Sequence, residues 1–216
     1  MPWGDEALRF LNKTLLWPAS ANDAGHGNIH WTNKNPRPGG KPLWIGKGFK
    51  SAAELVSFAG WLITKPNVLD IYYCTSLQAQ TAVSKSGKVI ALRSLPNTLS
   101  SRVLFLDIDV KPPPKGYTDT NDALLALGDF LKEFKFPFPH AIVASGGGLH
   151  VYWIGETSRP HAEWQPRAER LRSAAVNFGL RCDGQCTVDI TRILRLPETL
   201  NWKTDPPRPV KLLHLE

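Results

Sequence analysis

Eight residues restrict the fold more than any other feature of the chain. In Val103-Leu104-Phe105-Leu106-Asp107-Ile108-Asp109-Val110, two carboxylates stand at the end of an apolar run. Side chains alternate between the faces of a β-strand. Leu104, Leu106, Ile108 and Val110 therefore share one face, to be buried, and Asp107 and Asp109 share the other, about 6.5 Å apart along the strand. Two such acids repel one another unless a proton or a cation lies between them. Their oxygen ligands suit Mg²⁺ or Mn²⁺. A solvated strand end carrying two acids is the plainer reading of the same pattern.

The rest of the chain supplies layers for such a strand. Ser51 and Glu54 form a capping pair ahead of Ala52, Leu55, Val56, Ala59, Leu62 and Ile63, and Pro66 stops that helix. A second helix is predicted over 118–134, with Leu124, Leu127, Leu131 and Phe134 on one face. A third opens at Pro160, with Trp164, Ala168, Leu171, Ala175 and Phe178 as its stripe. Strands are predicted at 69–76, 88–92, 103–110, 141–144 and 149–154, with a strand or strand pair at 188–196. Residues 22–48, rich in Gly, Pro and Asn and carrying Arg37, Lys41 and Lys47, read as irregular with one short strand at 29–31. The pattern predicts an α/β (α+β) domain with a mixed sheet. No linker divides it, so residues 1–216 are expected to form one domain, with the motif-bearing part at about 101–205.

Composition removes several classes of function. No apolar run approaches the roughly 18 residues that span a bilayer, and the first residues lack the order of a signal peptide. Three cysteines in 216 residues do not make a disulfide framework. A reduced cytoplasmic protein without a membrane partner is expected. The net charge is +7, yet residues 101–158 are net acidic between basic flanks. That arrangement suits a cation site within a polyanion-binding surface.

Two further segments could carry chemistry. In Ser145-Gly146-Gly147-Gly148-Leu149-His150 the glycines allow backbone N–H groups close to a phosphate. A flexible hairpin turn with a surface histidine is the alternative. The pattern of a Walker phosphate loop is absent. Asp189 is followed by Arg192, Arg195, Asn201 and Lys203, a third acid beside cations that could anchor phosphates. Cys182 and Cys186 offer two thiols but no second pair, so zinc is not expected. Trp31, Trp44 and Trp202 lie in polar, basic surroundings where a nucleobase could stack.

The order of these motifs, Asp107/Asp109, then Ser145–His150, then Asp189, resembles the archaeo-eukaryotic primase superfamily. The likeness is to the primase-polymerase domains of phages, plasmids and other mobile elements, where a segment like Arg195–Lys203 often follows. The resemblance implies an RRM-like catalytic core flanked by helices. It implies a metal-dependent nucleotidyltransferase that makes a primer or extends a 3′-OH on single-stranded DNA. Asp107, Asp109 and Asp189 would hold two Mg²⁺ or Mn²⁺ ions. Ser145, Gly146, Gly147, Gly148, His150, Arg192, Arg195 and Lys203 would bind the NTP or dNTP. A replicative helicase, in trans or on a longer chain, is an implied partner. The likeness covers residues 101–205, and Glu198 departs from it, standing where glycine is usual. A non-catalytic single-stranded nucleic-acid-binding module and a metal-dependent nuclease are the rival readings.

Overall fold

The computed structural model describes residues 3–20, 22–35 and 40–216; Arg37 lies outside them. The first half runs α1 (Asp5–Thr14), β1 (Gly27–Asn33), β2 (Leu43–Phe49), α2 (Ala52–Ile63), β3 (Val68–Cys74), β4 (Leu77–Gln78), β5 (Thr81–Val83) and β6 (Val89–Ala91). Then come β7 (Thr98–Asp109), α3 (Thr120–Phe134), β8 (Ala141–Ala144), β9 (Gly148–Arg159) and α4 (His161–Phe178). The chain closes with α5 (Gly184–Thr187), β10 (Ile193–Arg195), β11 (Leu200–Asn201), β12 (Arg208–Pro209) and β13 (Lys211–Leu215).

Two sheets organise the molecule. One has the order β13-β8-β9-β7-β4 and the other β10-β3-β1-β2. The architecture is α+β, as expected. Its ladders are antiparallel wherever two named strands pair, although the sequence reading expected mixed directions. Short connections such as the Ser145–Gly147 turn between β8 and β9 impose that direction.

β7 is buried on both faces for most of its length. Leu106 and Ile108 pack with Leu149, Val151, Leu127, Phe130 and Leu171 in a core beneath α3 and α4. Val103 and Phe105, on the acid face, are also fully buried, in a second core with Phe10, Ile29, Leu55 and Tyr73. The sequence placed only the even-numbered residues inside. The second sheet, with α1 and α2, covers the other face at Val103 and Phe105, and Asp107 and Asp109 at the strand's end are half-buried.

The helices begin where their side chains supply caps. Ser51 Oγ accepts from the Glu54 N–H at 3.2 Å, and Asp119 accepts from the N–H groups of Asn121 and Asp122. Gly179, at φ +78°, ends α4.

Two expectations are corrected. Part of the segment 22–48 is regular: Gly27–Asn33 and Leu43–Phe49 are full strands paired from Gly27↔Phe49 to Asn33↔Leu43. Glycine lowers strand propensity, but here it meets a tertiary demand. A Cβ on Gly46 would lie 2.6 Å from His30 Nδ1 and 2.9 Å from Ala91 Cβ. Residues 188–196 are strand only at Ile193–Arg195. Asp189 sits in a turn after α5, where Arg192 N–H bonds to its carbonyl at 2.9 Å.

Candidate active site

The open end of β7 is completed on both edges. On one side Asp107 pairs with His150 and Asp109 with Gly148 across β9. A Cβ at position 148 would stand 2.1 Å from the Ile108 carbonyl oxygen, so glycine is what allows this approach. On the other side residues 181–183 run antiparallel to β7. Asp109 N–H donates to the Arg181 carbonyl at 3.0 Å, and Asp183 N–H donates to the Asp107 carbonyl at 2.9 Å.

This second edge delivers an acid that the sequence reading did not select. A carboxylate oxygen of Asp107, one of Asp183 and the Cys186 sulfur all lie within 4.8 Å of one another. Asp183 also caps α5, its Oδ1 accepting from Gln185 and Cys186 N–H groups, while Oδ2 receives Arg192 Nη2 at 3.3 Å. Asp189, the acid chosen from sequence, is not one of these three: its Oδ1 accepts from the Thr191 N–H and hydroxyl at 2.9 and 2.7 Å. Both aspartates precede Arg195, and spacing alone did not separate them. The readable signal was the cap, an Asp followed by Gly-Gln-Cys.

Burial governs the charges here. It pushes the Asp107 carboxyl up, and Asp183 adds to that; Arg192, Arg195 and Lys111 oppose it. Asp109 is tied to Lys111 at 2.6 Å. His150 is 3% exposed and lies 3.7 Å from Asp107 through Nε2. Burial, with Arg195 and Arg192 nearby, lowers its pKa to about 3. The imidazole is therefore neutral at pH 7, and its Nδ1 has no partner among the described residues. Burial raises the thiols of Cys182, to about 11, and Cys186, so both are protonated.

The glycine segment is a tight structural turn. Ser145 N–H and Oγ both donate to the Gly148 carbonyl, at 2.9 and 3.2 Å. Gly146 has φ +75°, and a Cβ there would meet Asn201 Cβ at 2.8 Å. Asn201 Nδ2 in turn donates to the Ser145 carbonyl at 3.1 Å. The three glycines, with Val110, Thr120 and Arg208, line a small cavity of about 200 Å³. Arg208 is a cation the sequence reading passed over.

The remaining cations differ in kind. Arg195 is 8% exposed. Its guanidinium holds Asp70 Oδ1 at 3.1 Å and donates to the Tyr72 hydroxyl at 3.3 Å. Lys203 is exposed, its backbone N–H bonded to Asn201 Oδ1 at 3.0 Å. Of the three tryptophans, Trp31 is core at 8% exposure, while Trp44 and Trp202 are 58% and 40% exposed.

Glu198 accounts for its departure from the expected glycine. Its φ is +64°, in the left-handed region where glycine is favoured. Its Oε2 accepts from the Gly4 and Ala7 N–H groups at 3.1 and 2.9 Å, at the N-terminus of α1, which has no side-chain cap of its own.

The comparisons agree with this architecture. The AEP domain of the cyanophage S-2L primase-polymerase aligns with 98% of this chain and 90% of its own, with a TM-score of 0.61 and 14% sequence identity. The chain therefore has the archaeo-eukaryotic primase fold. The polymerase domain of Mycobacterium tuberculosis Ligase D, in complex with DNA, is a weaker match, with a TM-score of 0.47, 13% identity, and 91% and 75% of the two chains covered. A Clostridium perfringens protein named Replication protein is 32% identical over 117 residues, which is 52% of this chain. Those residues span 27% of that protein's length. No family model matches the sequence.

Proposed function

We propose that the chain is a metal-dependent, template-directed nucleotidyltransferase. It would make a primer, or extend a 3′-OH, on single-stranded DNA with NTP or dNTP. One observation carries this reading: the carboxylates of Asp107 and Asp183 converge beside a neutral, buried His150 at the end of the central strand. Two partly buried acids this close are costly without a cation between them.

The donor set fits a divalent ion. Asp107, Asp109 and Asp183 would supply the hard oxygen ligands that suit Mg²⁺ or Mn²⁺, and the protonated thiol of Cys186 would lie beside them. Bound there, such ions would neutralise triphosphate charge and favour deprotonation of a 3′-OH. The third carboxylate is assigned to Asp183. Asp189 would instead hold the turn that carries Arg192.

The protein's own residues would position the reactants. His150, uncharged, would act as a hydrogen-bonding group toward nucleotide and not as a cation. Arg192 and Lys203 are available for phosphate or template. Arg195, fixed by Asp70, would set the local potential from a rigid position. The backbone of residues 145–148, with Arg208, would offer a further phosphate contact. Such catalysis is positioning and charge stabilisation, without a covalent nucleophile.

The test is incorporation of labelled NTP and dNTP, separately, on primed and unprimed single-stranded DNA with Mg²⁺ or Mn²⁺. Extension that disappears in Asp183→Asn supports the reading. Shortening of the DNA would favour a nuclease, and binding without either product a non-catalytic module.

A further inference from the structure

Acids are missing from two long segments ahead of the catalytic carboxylates. No Asp or Glu occurs from Ala24 to Ala53, which forms β1 and β2, or from Ile71 to Leu106, which includes the β5–β6 ribbon. Both segments are rich in Lys and Arg. Cations elsewhere hold acids: Lys111 pairs with Asp109, Arg159 with Glu163, Arg172 with Glu169, Arg192 with Asp183 and Arg195 with Asp70. Lys47, Lys85, Lys88 and Arg93 make no ion pair among the described residues.

The ribbon belongs to neither main sheet. Its base rests on β2, where Ala91 approaches Gly46 and Thr81 approaches Gly48. Just beyond β6, the Arg93 guanidinium donates to the Thr191 carbonyl at 2.9 Å. The residue after Thr191, Arg192, holds Asp183 of the carboxylate site at 3.3 Å. β2 and β10 are the two edges of the four-stranded sheet. The ribbon and its exit therefore reach from the far edge of that sheet to the turn beside the acids. These groups are open to solvent. Lys85, Lys88 and Arg93 are exposed, and Val83 and Val89, opposite one another in register, are 71% and 57% exposed. Trp44, two residues before Gly46 and so on the same face of β2, is 58% exposed, its ring 5.3 Å from that of Tyr72. An open cavity of about 420 Å³ is lined by His26, Lys47 and Lys50 and by Thr81 and Val89 of the ribbon. Glu54, which also lines it, accepts from the Lys50 N–H at 3.4 Å.

We propose that single-stranded DNA reaches the acids along this surface, with phosphates on Lys85, Lys88 and Arg93 and a base stacked on Trp44. Cations without counter-charges repel one another and gain from a polyanion. Lys88 stands five residues before Arg93, up to roughly 17 Å along the chain, so the cations span more than one phosphate. A duplex offers phosphates but keeps its bases stacked on each other. Exposed apolar groups among the cations suit a strand whose bases are free to stack on protein. The inference rests on the nucleotidyltransferase reading above and adds the course of its template.

The test titrates a fluorescein-labelled single-stranded oligonucleotide, at several salt concentrations, into the unaltered chain and three variants. Lys85→Gln/Lys88→Gln removes two cations of the ribbon. Lys132→Gln/Lys211→Gln removes two exposed cations from α3 and β13, for the same change in net charge. Trp44→Ala removes the platform. All these positions are exposed, so urea midpoints should stay close to that of the unaltered chain. The ribbon variant is expected to lower the slope of log affinity against log salt by about 1.4, a loss of about twentyfold at 0.1 M salt. Trp44→Ala should weaken binding about tenfold with the slope unchanged. The α3–β13 variant should bind the strand as the unaltered chain does, and all should bind nucleoside triphosphate alike. A ribbon variant indistinguishable from the α3–β13 variant overturns the proposal, as does unchanged affinity in Trp44→Ala. A loss as large on a blunt-ended duplex also overturns it. If the unaltered chain extends a primer while the variants bind DNA as it does, this inference fails alone. If the expected losses appear but nothing is extended, the catalytic reading fails alone. If the chain binds neither the oligonucleotide nor nucleoside triphosphate, both fail.

Discussion

The backbone N–H of Asp183 donates to the carbonyl of Asp107 at 2.9 Å, and that one bond brings the two carboxylates face to face. It is a strand-like contact made by a segment with no strand of its own. Residues 181–183 use the edge of β7 that the two-residue β4 leaves free. The arrangement makes the place of Asp183 beside Asp107 a matter of backbone pairing.

Asp183→Asn, Asp107→Ala and Asp109→Ala should each abolish nucleotide incorporation while oligonucleotide binding persists. Asp189→Asn should keep most of its activity. For Asp107→Asn, removing a buried acid pushed up by desolvation should leave stability equal or higher, as read from the urea midpoint. Full activity in Asp183→Asn beside an inactive Asp189→Asn would reverse the assignment of the third acid.

Arg195→Ala should first be a stability variant. Asp70 and Arg195 form a pair with side chains 9% and 10% exposed, and removing the cation leaves a buried carboxylate with the Trp202 N–H but no counter-charge. A loss of about 3–5 kcal/mol is expected. Lys203→Ala, at an exposed position, should fall within about 0.5 kcal/mol of the unaltered chain. Equal unfolding curves for the two variants would contradict this account of Arg195.

At Glu198 the strain and the cap oppose each other. Glu198→Ala keeps the positive φ and loses both bonds to α1, for an expected cost of about 1–2 kcal/mol. Glu198→Gly loses the same bonds but relieves about 1 kcal/mol of left-handed strain. The expected order of stability is Glu, then Gly, then Ala, and urea unfolding of the three proteins measures it. An alanine variant more stable than glycine would exclude the strain argument.

Acid should destabilise the fold in part through His150. Its pKa is about 3 in the folded chain against an ordinary 6.5. Between those values the unfolded chain binds the extra proton, so stability falls as pH drops from about 6.5 toward 3, at up to about 1.4 kcal/mol per pH unit. Asp107 works in the other direction: its raised pKa makes the folded chain the better proton acceptor above the ordinary carboxylate value, so its contribution is lost as pH rises. His150→Gln should flatten the fall between pH 6.5 and 4.5. An unchanged slope would mean that His150 titrates alike in both states.

The sequence alone determined the local elements whose causes are local. The strand with Asp107 and Asp109 follows from an apolar run of fixed parity, and the α2 start from Ser51 and Glu54. The strand at Ala141–Ala144, with its turn into β9, follows from apolar residues ahead of glycines. The motif order was enough to suggest the fold. Tertiary structure decided the remainder. β2 carries glycines where a neighbouring hairpin must approach, and no propensity scale contains that requirement. Glu198 holds a strained backbone only because an uncapped helix from the other end of the chain needs its carboxylate. Arg195, read from the sequence as a nucleotide ligand, has its guanidinium held by Asp70, 125 residues away. Asp183 stands beside Asp107 because residues 181–183 pair with β7. Each of these is a contact between residues far apart in the chain. Local patterns in a single sequence report the period of a segment and its caps, and only folding brings together the partners that complete a site.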